Sequence, residues 1–167
     1  MDFVKYKQKI GSSLRQATLC FLVKDDEILL AMKKRGFGQG RWNGVGGKQN
    51  DQEDIELTAV RETQEEISVT PKNLKKVAIL NFYFPHNADW NQQVIVYLSE
   101  KWDGEPTESD EMAPQWYKKN ELPFDSMWSD DIHWIPLVLA GKKLEADFVF
   151  GENDLVLDFA IRELNKF

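Results

Sequence analysis

Apolar and polar residues follow one another in blocks along the chain, and the blocks predict its elements. Arg15 to Lys24 (RQATLCFLVK) reads as a mostly buried strand, and Asp25-Asp26 turns it into a second strand, Glu27 to Lys33. A helix is expected from about Asp54 to Ile67, with Pro71 beyond its end as a stop signal. Residues 75–84 and 93–101 form two more strands, rich in Val, Ile, Phe and Tyr, and Trp102-Asp103-Gly104 marks a turn after them. A second helix is expected over 130–140, with Asp130 or Ser129 as N-cap and Gly141 ending it. Leu144, Ala146, Phe148 and Phe150 alternate with polar residues, as do Leu155, Leu157, Phe159 and Ile161 beyond Gly151, and period two on both flanks of a turn predicts a hairpin. Strands mixed with helices in this way make a mixed sheet with at least two helices, α+β or α/β by class. Residues 1–14, polar and basic, are expected as a loosely held extension of a single domain covering 1–167.

Composition narrows the function. Hydrophobic residues make up 42% of the 167, with six Trp and ten Phe, enough for one folded core. The net charge of −7 argues against a nucleic-acid polymer as partner, since such binding rests on Lys and Arg neutralising phosphates. An acidic protein can still take a small phosphorylated ligand when a divalent cation sits between carboxylates and phosphates. The one cysteine, Cys20, lies in an apolar run and reads as a packed core residue, which suits a reducing compartment. Met1 to Ile10 carries no apolar leader and no run reaches membrane-spanning length, so a soluble, cytoplasmic protein is expected. His86 and His133, with no carboxylate or Cys at ligand spacing, read as structural or surface residues.

Two segments carry chemistry. Residues 34–50 (KRGFGQGRWNGVGGKQN) hold six of the ten glycines in one long loop, of a length that is usually functional. The helix after it contains Arg61-Glu62-Thr63-Gln64-Glu65-Glu66. At ~100° per residue, Glu62, Glu65 and Glu66 share an arc of about 100°. Leu57, Ala59, Val60, Thr63 and Ile67 fill a separate arc that can face a core. Three like charges on one face repel each other and oppose the helix dipole, a cost readily borne when a hard cation gathers the carboxylates. A solvated acidic face partly balanced by Arg61 is the plainer alternative.

The spacing of Gly47, Glu53, Arg61, Glu62, Glu65 and Glu66 resembles the Nudix box, Gly-x5-Glu-x7-Arg-Glu-apolar-x-Glu-Glu-x-Gly-apolar, closed here by Val69. Thr63 stands where an apolar residue is usual, Ser68 where the family has Gly, and Gln52 where many members have Gly. The resemblance implies the Nudix fold, an α/β/α sandwich with a mixed sheet flanked by helices and a loop-helix-loop box. It implies that Glu62, Glu65 and Glu66 bind magnesium, or manganese in its place, together with the Gly46 carbonyl. Arg61 would orient the carboxylates and Glu53 support the loop. Glu111, in Glu108-Ser109-Asp110-Glu111, is the candidate for a further acidic residue that joins the metal ligands, and the catalytic base stays open among Glu62, Glu65 and Glu111. The reaction would be attack of water on an interior phosphorus of a nucleoside diphosphate derivative.

KKRGFGQGRWNGVGGK (33–48), ESDEM (108–112) and PFDSMWSDD followed by WIPL (123–137) look like the oxidised purine nucleoside triphosphate hydrolases within that family. That likeness implies pool sanitation, with 8-oxo-dGTP and 2-oxo-dATP as substrates, by a monomer. It places the purine among Asn43, Trp128, Asp130 and Asp131, with Thr18, Lys33, Phe37 and Phe82 lining the pocket and Gly46, Gly47 and Lys48 as further substrate-binding residues. Residues 85–92 (PHNADWNQ) are polar where similar proteins carry apolar pocket residues, with Trp90 as the compensating aromatic. ADP-ribose, a dinucleoside polyphosphate or a methylated purine triphosphate are the alternative substrates within the family.

Overall fold

The computed structural model describes residues 3–10 and 14–167. In chain order the elements are α1 (Phe3–Ile10), β1 (Arg15–Lys24), β2 (Glu27–Lys33), β3 (Trp42–Asn43), α2 (Ile55–Ile67), β4 (Thr70–Lys72), β5 (Lys75–Tyr83), β6 (Gln92–Ser99), β7 (Lys101–Asp103), β8 (Met112–Lys118), α3 (Asp131–Leu139), β9 (Lys143–Phe150) and β10 (Val156–Leu164). The main sheet runs β10-β9-β5-β6-β1-β2-β3, with β8 also paired to β2. It is mixed, because β1 pairs β6 and β5 pairs β9 in parallel while the other pairs are antiparallel. β4 and β7 form a separate two-stranded sheet.

Period two along the strands decides what each face of the sheet covers. Ala17, Phe21 and Val23 of β1 join Val94 and Val96 of β6 in one core with Trp134, Ile135 and Val138 of α3. The alternate residues, Cys20 with Ile95 and Tyr97, pack against Ala59 of α2, and Leu22 and Leu29 pack against Ile67. The helices α2 and α3 therefore flank the sheet on opposite faces, as an α/β/α sandwich requires.

The structure corrects several expectations. Residues 3–10 of the supposed loose extension form a helix: Asn91 Nδ2 donates to Tyr6 Oη at 3.3 Å, Tyr6 packs edge-on to Tyr83, and Lys7 pairs with buried Asp147. Asp147 ends a row of side-chain hydrogen bonds crossing the sheet. Gln16 donates to Gln93 (2.8 Å), Gln93 to Asn81 (2.9 Å) and Asn81 to Asp147 (2.9 Å), which Arg162 also reaches (3.1 Å). Trp102 and Asp103 lie on β7, not in a turn, and only Gly104 turns. Leu57 is exposed, because two residues at ~100° each carry it to the side of α2 away from Ala59; Thr58 is buried in its place. Strand β8 went unforeseen, since Pro114 breaks its pattern; the proline is tolerated because β8 is an outer strand bonded only to β2.

Candidate functional site

The loop before α2 is pressed onto β1 by backbone hydrogen bonds, Thr18 N–H to Gly47 O (2.9 Å) and Cys20 N–H to Val45 O (2.6 Å). The approach leaves no room for side chains: a Cβ on Gly46 would lie 1.7 Å from Thr18 O, and one on Gly47 2.4 Å from Glu62 Cδ. Asp54 caps α2 by accepting from Glu56 N–H at 2.9 Å. Thr63, where an apolar residue was the norm, is buried with its hydroxyl donating to Ala59 O at 2.7 Å, so it buries no unmade hydrogen bond. Beside it Cys20 is a core residue, its thiol pushed up to about 12 by burial. Ser68, in the left-handed region at φ 62, ends the helix as the C-cap.

Arg61 organises the acidic face. Its Nε and Nη2 donate to the two Glu53 oxygens (2.8 and 3.0 Å), Nη1 to Glu62 (2.8 Å) and Glu65 (3.4 Å), and Nη2 also to Lys48 O (3.2 Å). With Arg61 and the Thr58 hydroxyl as donors, Glu53 is held down to about 2. Glu66 is different. One of its oxygens is buried without a hydrogen-bond partner among the described residues, and burial together with the Glu62 carboxylate pushes it up to about 7. Glu111 also bears on Glu66 electrostatically, while its own carboxylate takes two hydrogen bonds from Arg35 (2.9 and 2.7 Å), which lower its pKa. The Lys33 ammonium favours the charged form of both Glu66 and Glu111.

Among the described residues, no three acidic, His or Cys side chains already form a cation cage. Glu62 and Glu65 pair instead with Arg61, and Glu111 with Arg35. The donor set nevertheless fits a hard divalent ion. It consists of carboxylate oxygens, and the partnerless buried oxygen of Glu66 carries a charge that a cation would relieve.

Beside this face opens a cavity of about 310 Å³. Thr18, Lys33, Phe37, Asn43, Gly46, Gly47, Lys48, Phe82, Trp128, Asp130 and Asp131 all line it. Much of its lining is aromatic: Phe37 lies 5.0 Å from Trp128, and Phe84 stacks on Phe150 at 4.8 Å, while Trp90, expected to compensate in the pocket, is not in the lining and packs 5.0 Å from Phe37. Asp130 and Asp131 are both 2% exposed. Trp134 Nε1 donates to Asp130 at 2.8 Å. Burial raises Asp130 to about 6; burial, then the charge of Asp130, raises Asp131 well above the carboxylate range. Near neutral pH the pair therefore holds a proton, and one member can donate while the other accepts. Asp131 Oδ2 and Thr18 Oγ1 are buried with no partner among the described residues. Asn43 Oδ1 accepts from Gly44 N–H (2.8 Å), which leaves the amide N–H groups as the donors it can offer.

Asp130 holds the N-cap position of α3, as expected, but makes no side-chain capping hydrogen bond; Ser129 Oγ is engaged elsewhere, donating to Asp154 O (3.1 Å) and accepting from Val156 N–H (3.0 Å). His86 packs edge-on to Phe84 and Trp90, and His133 stacks on Phe159 at 4.2 Å. Sequence reading missed Arg41, Phe84, Gln92 and Phe150 as cavity residues. The position of Arg41 in the glycine-rich loop was the only local signal for it.

A NUDIX domain family model matches residues 13–138. The chain is similar to the oxidized purine nucleoside triphosphate hydrolases of Mus musculus (40% identical over 156 residues, 93% of this chain and 99% of the relative) and Danio rerio (41% over 147 residues, 88% and 94%). Its fold is similar to the crystal structure of a MutT protein from Bacillus halodurans, at TM-score 0.79 and 26% identity, covering 89% of this chain and 97% of that one.

Proposed function

The chain belongs to the Nudix family of hydrolases, and from that premise we propose that it hydrolyses oxidised purine nucleoside triphosphates, such as 8-oxo-dGTP and 2-oxo-dATP, to monophosphate and pyrophosphate. The observation that carries this reading is the pair of buried carboxyls, Asp130 and Asp131, each 2% exposed, in a cavity that Asn43, Lys33 and Trp128 also line. A purine presents donors and acceptors along one edge, and oxidation rearranges them. A carboxyl pair that can exchange its donor and acceptor members accommodates more than one such pattern. Trp128 supplies a flat stacking surface worth roughly 1–3 kcal/mol. Asn43 adds donors, and Lys33 offers a cation where base pocket and carboxylates meet.

Glu62, Glu65, Glu66 and the Gly46 carbonyl would hold a divalent cation, magnesium on this reading, with Glu111 at its border. When bound it neutralises phosphate charge and makes water more acidic. Arg61 keeps Glu62 and Glu65 oriented, and Glu53 fixes Arg61. The carboxylates of Glu62, Glu65 and Glu111 are the groups able to take the proton of the attacking water. All these groups come from one copy of the chain, which is why we propose a monomer that works on the soluble nucleotide pool of the cytoplasm. Among the described residues no helix is long and apolar enough to cross a membrane.

Pyrophosphate release with Mg²⁺ across 8-oxo-dGTP, 2-oxo-dATP, O6-methyl-dGTP, dGTP, dATP and ADP-ribose tests the reading. Preference for the oxidised purines is the expected result. Turnover led by ADP-ribose, or equal turnover of all six, would overturn the substrate and leave the family chemistry standing.

A further inference from the structure

We infer that Arg41 is a positioning residue for the purine, holding the Trp128 ring in place as a preset stacking platform. The inference rests on the reading of the cavity as a purine site. The guanidinium carbon of Arg41 lies 4.2 Å from the centre of the Trp128 ring. A planar cation thus lies over the indole, whose ring also lines the cavity. Such a contact is attractive in itself and restrains a ring that would otherwise pivot about its side-chain torsions.

Arg41 is fixed in turn from outside the cavity. Its Nη1 donates to Asp154 Oδ2 at 3.1 Å, and Asp154 sits in the turn between β9 and β10, where its N–H bonds to Gly151 O at 3.1 Å. That turn is tied back to the residue after Trp128, because Ser129 Oγ donates to Asp154 O and accepts from Val156 N–H. The contacts close a ring: Trp128, Ser129, the hairpin turn, Arg41, and Trp128 again. The backbone of Arg41 also closes the glycine-rich loop, its carbonyl accepting from Lys33 N–H and its N–H donating to Gly38 O, both at 3.1 Å. The loop so closed carries Phe37, whose ring meets Trp128 at 5.0 Å. The Arg41–Asp154 pair is 31% and 26% exposed, and a pair so near solvent adds little to fold stability. Its effect belongs with the ligand.

The test measures KM and kcat for 8-oxo-dGTP hydrolysis, the Kd of 8-oxo-dGMP by calorimetry without metal, and the urea midpoint. The variants are Arg41→Ala, Arg41→Lys, Asp154→Asn and, to set the scale, Trp128→Ala. Arg41→Ala should raise KM and Kd about tenfold, with kcat within about threefold and the midpoint unchanged. Arg41→Lys should restore part of the loss, since an ammonium keeps the charge without the planar face, and Asp154→Asn should show a smaller rise. The indole N–H resonance of Trp128 should shift in Arg41→Ala without ligand. Wild-type Kd in Arg41→Ala, alongside lost binding in Trp128→Ala, would overturn the role of Arg41 and leave the purine site standing. Wild-type Kd in Trp128→Ala would instead remove the purine reading and the inference with it. Parallel loss of kcat and stability, fully restored by Arg41→Lys, would assign Arg41 to the scaffold and overturn the inference.

Discussion

At the residue scale the decisive features are carboxyls whose surroundings differ. Asp130 and Asp131 are raised by burial, so they hold protons more tightly folded than unfolded. Their contribution to stability is complete below the unfolded value, about 3.9, and is lost as pH rises through the folded one. Through Asp130 the wild-type chain should lose stability as pH rises from about 4 to about 6, and Asp131 should extend the loss in the same direction. Asp131→Asn should flatten that slope, as urea midpoints at pH 4.5, 6 and 7.5 would reveal; an unchanged slope would remove the pair from the titration. Glu66 carries a different prediction. Its buried, partnerless oxygen faces the charges of Glu62, Glu65 and Glu111, so Glu66→Gln relieves repulsion while removing an anionic ligand. We expect kcat to fall about a hundredfold or more, with a urea midpoint equal to or above wild type. Wild-type turnover in this variant would sink the metal assignment.

At the element scale α2 shows how the chain keeps the family helix while departing from its usual residues. Thr63 satisfies its own hydroxyl within the helix, which is why a polar residue is tolerated on a buried face. Ser68 is less well placed, because its φ of 62 puts a Cβ-bearing residue in the left-handed region. Ser68→Gly should relieve that strain, less the greater chain entropy of glycine, for a net gain of about 0.5–1 kcal/mol. Differential scanning calorimetry would register it as a higher Tm; a lower Tm would mean that the serine side chain makes a compensating contact.

At the scale of the whole molecule, α1 lies outside the matched family domain yet completes the partners of a buried charge. Burial opposes the charge of Asp147, but hydrogen bonds from Lys7, Asn81 and Arg162 hold its pKa below the usual range. Such a group stabilises the fold above its unfolded pKa and loses that contribution as pH falls. Removing residues 1–10 should cost about 1–3 kcal/mol near neutral pH and less in acid, with kcat/KM within about threefold of wild type. Urea unfolding at two pH values and the hydrolysis assay check both halves; a large loss of activity would place α1 in the site's machinery.

The sequence by itself determined what local rules govern. The 3.6-residue period put Glu62, Glu65 and Glu66 on one face of α2, the two-residue period marked β1, β2, β5, β6 and the β9–β10 hairpin, and the loop-helix spacing identified the family. Errors arose where a partner far along the chain outbids the local rule. Ser129 bonds to Asp154 and Val156 instead of capping α3, Pro114 is accepted because β8 lies outermost on β2, and α1 folds against the row ending at Asp147. Arg41 meets Asp154 across 113 residues, a contact that no period or spacing encodes. Only the tertiary structure decided these, because strand order sets which distant residues become neighbours. Burial then turned two adjacent aspartates into a proton-sharing pair, and burial is a property of the packed whole.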